Sequence, residues 1–452
     1  MRCGLWPCLV SSSGAIYSFA CCTSKAFLLT ATDVEALEER KGLVVTDEDM
    51  PELPVVTEHS VSMKTGGRSI PEKPPVVLLA NIRWDAFWEW SKILATLFAD
   101  AGYPTVYVET TGIRKPPLEM VVIRRILRRL LNVRSDGKKP ANLSPNLRIY
   151  SPLAAPPTHE TFRRINHRLF VPRIVRDLRS LVGPAPVVIA FPPTRTTLDL
   201  ISGLEPRLTW YHCIFNYEEF PGTPADIRET ERQLLEAADT VTVDSGFLKE
   251  KHRGVRSDMI HIESGVHFEL FRRADTGALQ SPAKTLYYFG TADETRFDFD
   301  LVREVAEAGY TVRMLGTLSD PSFARIPGVE YLGQVPHEAL PEHLREADAL
   351  IIPYKITSFS KGTFPAKTYE CLATGKPVVA TPLPDLKRFG EHLYLGDRAE
   401  EFVRILRRLH ESESPERMRA RVELAGENSW EARFARFEEI LRENLAGDRP
   451  PR

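Results

Sequence analysis

A chain of 452 residues whose 59 basic and 61 acidic side chains nearly cancel, to a formal net charge of -2, is not a bulk electrostatic binder of nucleic acid. Hydrophobic residues make up 43% and charged residues 27%, which excludes a disordered or fibrous chain and gives material for two or three globular domains. Six cysteines, four of them (Cys3, Cys8, Cys21, Cys22) near the start and two (Cys213, Cys371) alone, suggest neither a disulfide framework nor a zinc site and fit a reducing, cytoplasmic setting.

The first elements are irregular. Gly14 to Cys22 has the look of a short signal core ending at a poor lipidation site, Ala20-Cys21, but a floppy extension accounts for it more simply. Residues 33–75 are acidic, then rich in proline and glycine, so residues 1–73 are expected to be a disordered extension and linker. From Val76 the pattern turns regular. Short apolar runs at Val76–Ala80, Thr105–Glu109, Leu147–Tyr150, Val187–Phe191, Leu208–Tyr211, Thr240–Val243 and Met259–Ile262 predict strands. Helices are predicted at Ala86–Ala101, with Asp85 as N-cap, and at Thr158–Leu181 and Pro224–Ala238. No run of 18 apolar residues occurs, so no spanning helix is expected.

A second alternating series follows the turn at Leu279–Pro282. Its strands are Leu286–Phe289, Val312–Leu315, Val329–Leu332, Ala349–Pro353, Val378–Thr381 and His392–Leu395. Helices are expected at Asp300–Ala308, His337–Ala347, Ala366–Thr374 and Glu400–Leu409, with a last one at Trp430–Asn444. The reading is α/β: two Rossmann-like domains, 74–281 and 282–428, facing across a cleft, with a C-terminal crossing helix at 429–446.

The densest chemical signal is Phe364 to Thr381, where Pro365 opens a short helix and Gly375 ends it before a buried strand. The unpaired N–H groups at that tip suit a phosphate. Glu370, about one and a half turns in, could accept hydrogen bonds from both ribose hydroxyls, or could equally be a solvated helix residue. Asp298-Phe299-Asp300 has the letters of a metal motif but begins a helix, so no metal is expected and arginine would meet the diphosphate charge.

This segment resembles the donor-binding signature of GT-B-fold glycosyltransferases, near the family-4 (group 1) retaining enzymes: a proline, a lysine (Lys367) and a glutamate (Glu370), then Leu-Ala-x-Gly-x-Pro-Val-Val. Ala238-Asp239 through Ser245, Ser264-Gly265-Val266-His267, and Ser429-Trp430 with Arg433 resemble further landmarks of that family. The resemblance implies a hexosyltransferase-like, retaining, metal-independent enzyme with no bound cofactor. A nucleotide diphosphate-sugar is its co-substrate and a glycan or lipid-linked glycan its acceptor. Glu370, Lys367, Thr363, Gly290 and Arg296 would hold the donor. Asn81, Arg83 and Trp84 stand where related enzymes carry a glycine-rich loop and would face the acceptor; that variant, with Glu109 to Arg114 after the second strand, resembles a subgroup of bacterial cell-surface polysaccharide assembly.

Departures are equally visible. Family members often carry a second glutamate eight residues before Glu370, where this chain has Gly362. The phosphate-binding arginine–lysine pair after the first strand of the second domain is incomplete: Arg296 is present without a lysine, and it could also be a surface arginine. His212, at the carboxyl end of a strand, is the expected catalytic residue, with a structural histidine as the alternative. In 121–133, Ile123, Ile126, Leu127, Leu130 and Leu131 line one helical face, and Arg124, Arg125, Arg128 and Arg129 the other. That helix could dock on a core or touch the anionic inner face of the cell membrane. No nucleic-acid partner is expected. Rival readings are a sugar-nucleotide epimerase of the same fold and a non-catalytic binding subunit, the latter favoured by Gly362.

Overall fold

The computed structural model describes residues 73–85, 89–109, 113, 143–155, 160–277, 279 and 281–447. The expected extension and linker up to residue 72, the basic helix at 121–133, and Thr110, Thr111, Gly112 and Arg114 lie outside the described residues.

Seven parallel strands form the first sheet: β1 (Val76–Leu79), β2 (Thr105–Val108), β3 (Leu147–Tyr150), β4 (Val187–Ala190), β5 (Leu208–Cys213), β6 (Thr240–Val243) and β7 (Ile260–His261). Their order is β3-β2-β1-β4-β5-β6-β7. Six more form the second sheet: β8 (Thr285–Phe289), β9 (Thr311–Leu315), β10 (Val329–Gly333), β11 (Ala349–Ile352), β12 (Val378–Ala380) and β13 (Tyr394–Leu395), in the order β10-β9-β8-β11-β12-β13. Both sheets reverse their winding once, beside β1 and beside β8. At such a switch the connections leave in opposite directions and open a crevice at the carboxyl ends of the strands. β1 and β4 end level, with Leu79 paired to Ala190, so their next residues share one rim. The central strands are buried on both faces, which is why they read as continuous apolar runs.

The first sheet is flanked by α1 (Trp90–Asp100), α2 (Val171–Val182), α3 (Arg195–Leu204), α4 (Ile227–Ala237) and α5 (Gly246–His252); the second by α6 (Phe299–Glu307), α7 (Lys367–Ala373), α8 (Ala399–Ser412) and α9 (Pro415–Glu427). The Asp298 side chain accepts from Leu301 N–H at 3.1 Å, so the Asp-x-Asp letters serve as the cap of α6. α1 begins at Trp90, after an extended Glu89, rather than at Ala86. Asp85 does not cap it, because its carboxylate pairs with Arg83 at 2.5 Å.

The last helix, α10 (Trp430–Ala446), returns to the first domain. Phe437, Ile440 and Leu441 are buried among β-strand side chains, and Phe437 stacks on Trp210 with centroids 5.0 Å apart. Burial of one such side chain stabilises by about 1.5–3 kcal/mol. α10 therefore ties the chain's end to the first sheet while α9 packs on α7 in the second domain. Among the described residues no helix is long and apolar enough to cross a membrane.

Candidate functional site

The second switch point lies where β8 and β11 end, at Gly290 and Tyr354. Gly290 has a φ of +115°, and a Cβ there would meet the Lys367 ammonium at 2.9 Å. The backbone thus requires glycine, and any side chain there would push the lysine's end aside. Lys367 reaches this point from the start of α7. Its Nζ lies 4.0 Å from the Tyr288 ring centroid and 5.1 Å from that of Tyr354, a cation–π setting that holds the charge in place. Arg296, on the loop after β8, is fixed by Asp293 at 2.9 Å. Both cations bear on Tyr354: burial pushes its phenol up, but Lys367 and Arg296 outweigh this and draw it below the ordinary tyrosine value. The lysine missing from the β8 loop is therefore supplied by α7. Two cations converge on the rim where a diphosphate of such a sheet would sit.

Glu370 follows on the same helix. Its Oε1 lies 3.0 Å from His337 Nε2, a partner that the sequence analysis did not name. Burial pulls the His337 pKa down, but the hydrogen bond and charge of Glu370 more than offset this and leave it raised. His267 stands beside it, ring centroids 5.7 Å apart, and its own pKa is lowered by burial and by His337. Glu370 is not simply solvated; a ribose would share it with an imidazole.

Two residues just before this helix are turned inward. Thr363 is buried, and its hydroxyl donates to the Phe359 carbonyl at 3.5 Å, so it is occupied within the chain. Gly362 is not an emptied ligand position open to the cleft. A Cβ there would lie 2.7 Å from Asn216 Cβ and 3.2 Å from Leu248 Cδ2, both in the first domain. The space of a glutamate is filled by protein.

In the first domain, Asn81 Nδ2 donates to Glu89 at 3.3 Å, and Ser91 Oγ donates to the same carboxylate at 2.6 Å. Burial raises the Glu89 pKa above its ordinary value despite these bonds. Trp84 N–H donates to Glu109 at 2.8 Å, Ser151 Oγ donates to its other oxygen at 2.6 Å, and the Trp84 ring meets Tyr107 edge-on at 4.9 Å. Arg83 turns to Asp85. Asn81 with Glu89, and Trp84 with Glu109, thus form two hydrogen-bonded pairs beyond β1 and β2. Glu89 gives no local signal, because the sequence pattern predicts one helix running through it from Ala86.

His212 is corrected outright. It is 0% exposed and packs against Trp90, Phe191 and Phe437 at centroid distances of 4.5, 5.5 and 5.4 Å. Its Nδ1 is bonded to Thr242 Oγ1 at 2.8 Å. Burial drives its pKa down to about 3, leaving the ring neutral. On β5, His212 shares the face of Trp210, which is covered by α10, so it meets core and not cleft.

The two domains touch at defined points. Asn216 Nδ2 donates to the Ser358 carbonyl at 2.9 Å. Asp385, from the second domain, accepts from Ser245 Oγ at 2.7 Å and Gly246 N–H at 2.8 Å at the start of α5. Tyr369 donates to Glu263 at 2.7 Å, and Arg388 pairs with the same carboxylate.

Comparison with known proteins agrees with this geometry. Residues 290–412 match the family described as glycosyl transferases group 1. Residues 290–412 are thus similar to a group 1 glycosyltransferase domain. The first residue of the match is Gly290, and Arg296, His337, Lys367 and Glu370 all fall inside it. The chain is 30% identical over 178 residues to a protein of Bacillus subtilis (strain 168) named for teichuronic acid biosynthesis glycosyltransferase TuaH, a match covering 36% of this chain and 45% of that one. The chain thus matches about half the length of this curated relative.

Solved structures with the same architecture include sucrose-phosphate synthase from Thermosynechococcus elongatus, at TM-score 0.58 and 18% identity, covering 83% of this chain and 100% of that one. Alr3699/HepE of Anabaena in complex with UDP and glucose matches at TM-score 0.58 and 11% identity, covering 82% and 100%. The second domain and the sheet before it together have the GT-B fold of these structures.

Proposed function

We propose that this protein transfers a sugar from a nucleotide diphosphate-sugar to a glycan or lipid-linked glycan acceptor in cell-surface polysaccharide synthesis. The observation that carries this reading is the convergence of Lys367 and Arg296 at the Gly290 rim, with Glu370 one turn further along the same helix. As the bond between sugar and diphosphate breaks, negative charge grows on the leaving diphosphate. Fixed cations already aimed at that place stabilise it without rearrangement. Arg296 is held by Asp293 and Lys367 by the two tyrosine rings, so each is positioned before substrate arrives. In this reading the two side chains supply the counter-charge that a metal would otherwise give, Glu370 receives the ribose hydroxyls, and the donor anomer is retained, as the family resemblance implies. Acceptor groups would meet Asn81, Trp84 and Glu89. The names of the Bacillus relative and of the UDP-bound Anabaena structure support the substrate class.

The test uses the purified full chain. Thermal shift and isothermal titration against nucleoside diphosphates should find one base that binds and stabilises the protein by RT ln(1 + [L]/Kd). The matching nucleotide-sugar should then be slowly hydrolysed without acceptor. Absence of any diphosphate binding would sink the donor-domain reading. Binding with no hydrolysis and no transfer would favour a non-catalytic subunit, the reading that draws on Gly362.

A further inference from the structure

Three buried side chains on the first domain are left over by the reading above. Cys213 ends β5, Glu231 sits midway along α4, and His252 ends α5. They are 0%, 2% and 7% exposed. One sulfur, one carboxylate oxygen and one imidazole nitrogen all lie within 4.8 Å of one another. Cys213 Sγ is 3.6 Å from Glu231 Oε1, and His252 Nε2 is 3.8 Å from the same atom.

The second distance is too long for a hydrogen bond, and His252 Nε2 is buried with no hydrogen-bond partner. Glu231, almost wholly buried, has the Tyr211 hydroxyl at 2.7 Å and the Cys213 thiol as its bonded neighbours. A buried carboxylate and a buried imidazole nitrogen without a hydrogen-bond partner each cost free energy. The two atoms lie 3.8 Å apart.

We propose that Cys213, Glu231 and His252 are the protein ligands of a divalent metal ion of the zinc type, which braces the first domain. The donor set is the nitrogen, sulfur and carboxylate mixture that zinc accepts. Bonds of roughly 2.0–2.3 Å in tetrahedral geometry set donor atoms about 3.3–3.7 Å apart, close to the 3.6 and 3.8 Å found here. On binding, the sulfur–proton bond breaks, the sulfur–metal bond forms and the proton leaves to solvent. One thiolate and one carboxylate then balance the two positive charges, so the buried site becomes neutral. The Tyr211 hydroxyl, bonded to the glutamate, orients it as an outer partner.

The brace would join three elements, and two of them present the contacts with the second domain. The loop after β5 carries Asn216 to Ser358, and α5 begins at the Gly246 N–H held by Asp385. Spacing gives no hint of this site, because the ligands come from a strand and two separate helices; Cys213 and Glu231 alone are 18 residues apart.

The test takes the full chain, dialysed against metal-free buffer without chelator. Elemental analysis should find about one zinc per chain. Extraction with a strong chelator should lower the melting temperature, and added zinc should restore it. Cobalt(II) added to the extracted protein should give the intense thiolate-to-metal band in the near ultraviolet. Cys213→Ser should lose that band, and His252→Gln should bind cobalt at least tenfold more weakly. Should Cys213→Ser fail to fold, the band in the unsubstituted chain and the His252→Gln titration still decide. The proposal is overturned if the folded chain holds no zinc and gives no thiolate band, or if both variants retain parental metal affinity. Nucleoside diphosphate affinity is a separate readout, so the donor reading can survive or fail independently.

Discussion

Gly362 and Asn216 meet across the two domains with no room for a side chain between them: a Cβ on the glycine would lie 2.7 Å from Asn216 Cβ. A glutamate at this position would have to displace Asn216, which is itself tied to the Ser358 carbonyl and to Lys251. Gly362→Glu should therefore destabilise by about 1–3 kcal/mol, the usual cost of forcing extra atoms into a packed site. It should also increase the radius of gyration by scattering as the domains part. A variant as stable and compact as the parent would show that the glycine is not a packing requirement.

The Lys367–Arg296 pair should govern diphosphate affinity. Charged hydrogen bonds are worth roughly 1.5–3 kcal/mol each, so Lys367→Met should weaken nucleoside diphosphate binding about ten- to a hundredfold. Arg296→Met should do the same, and the double variant should lose less than the sum, since both act on one ligand. Binding of the unphosphorylated nucleoside should change little in any of the three. Isothermal titration with both ligands gives the comparison.

His212→Ala should damage stability and spare the donor site. Removing a buried ring from among Trp90, Phe191 and Phe437 leaves a cavity, worth about 2–4 kcal/mol in a denaturant titration. The parent has a second signature. With its folded pKa near 3 against 6.5 unfolded, neutral His212 costs stability as pH falls from 6.5 towards 3, because only the unfolded chain takes up the proton. His212→Phe should flatten that part of the pH profile. An unchanged fold with turnover reduced a hundredfold would restore the histidine to the chemistry.

How much of this was legible follows from what each feature depends on. Parallel strands buried on both faces betray themselves as apolar runs, so Val76–Leu79 or Ala349–Ile352 could be read directly. Lys367 and Glu370 lie three apart on one helix, and the sequence places them together whatever the tertiary structure. His212 was misread because a strand position fixes the end of the sheet but not the face; the face was decided by Phe437, 225 residues away in α10. Glu370 and His337 meet over 33 residues, and Lys367 meets Gly290 from the other side of the sheet's switch point. No local pattern encodes such pairs. Asp85 was taken for a cap on type alone, whereas its arginine neighbour had already claimed it.

The Glu370–His337 pair makes a prediction about pH that a lone ribose-binding glutamate would not. Burial lowers the imidazole's pKa, yet the hydrogen bond and charge of Glu370 raise it overall above 6.5. A raised folded pKa means that the pair contributes its stability in full below the unfolded value of about 6.5. The contribution is lost as pH rises through the higher folded pKa, where the imidazole sheds its proton. His337→Ala should accordingly narrow the gap to the parent as pH increases from 6 to 9, read as melting temperature at fixed ionic strength. Ligand binding adds a second, separable readout. Below the folded pKa of His337 the imidazolium holds Glu370, and a ribose must share or displace it. Nucleoside diphosphate affinity should then increase as pH rises from 6 to 8 in the parent. It should vary less in His337→Ala, with only the phosphate's own titration left. Glu370→Gln should remove both effects at once, since the histidine then has no charge to answer. If His337→Ala follows the parent's melting and binding profiles across this range, the pair is incidental, and Glu370 acts on the ribose without it.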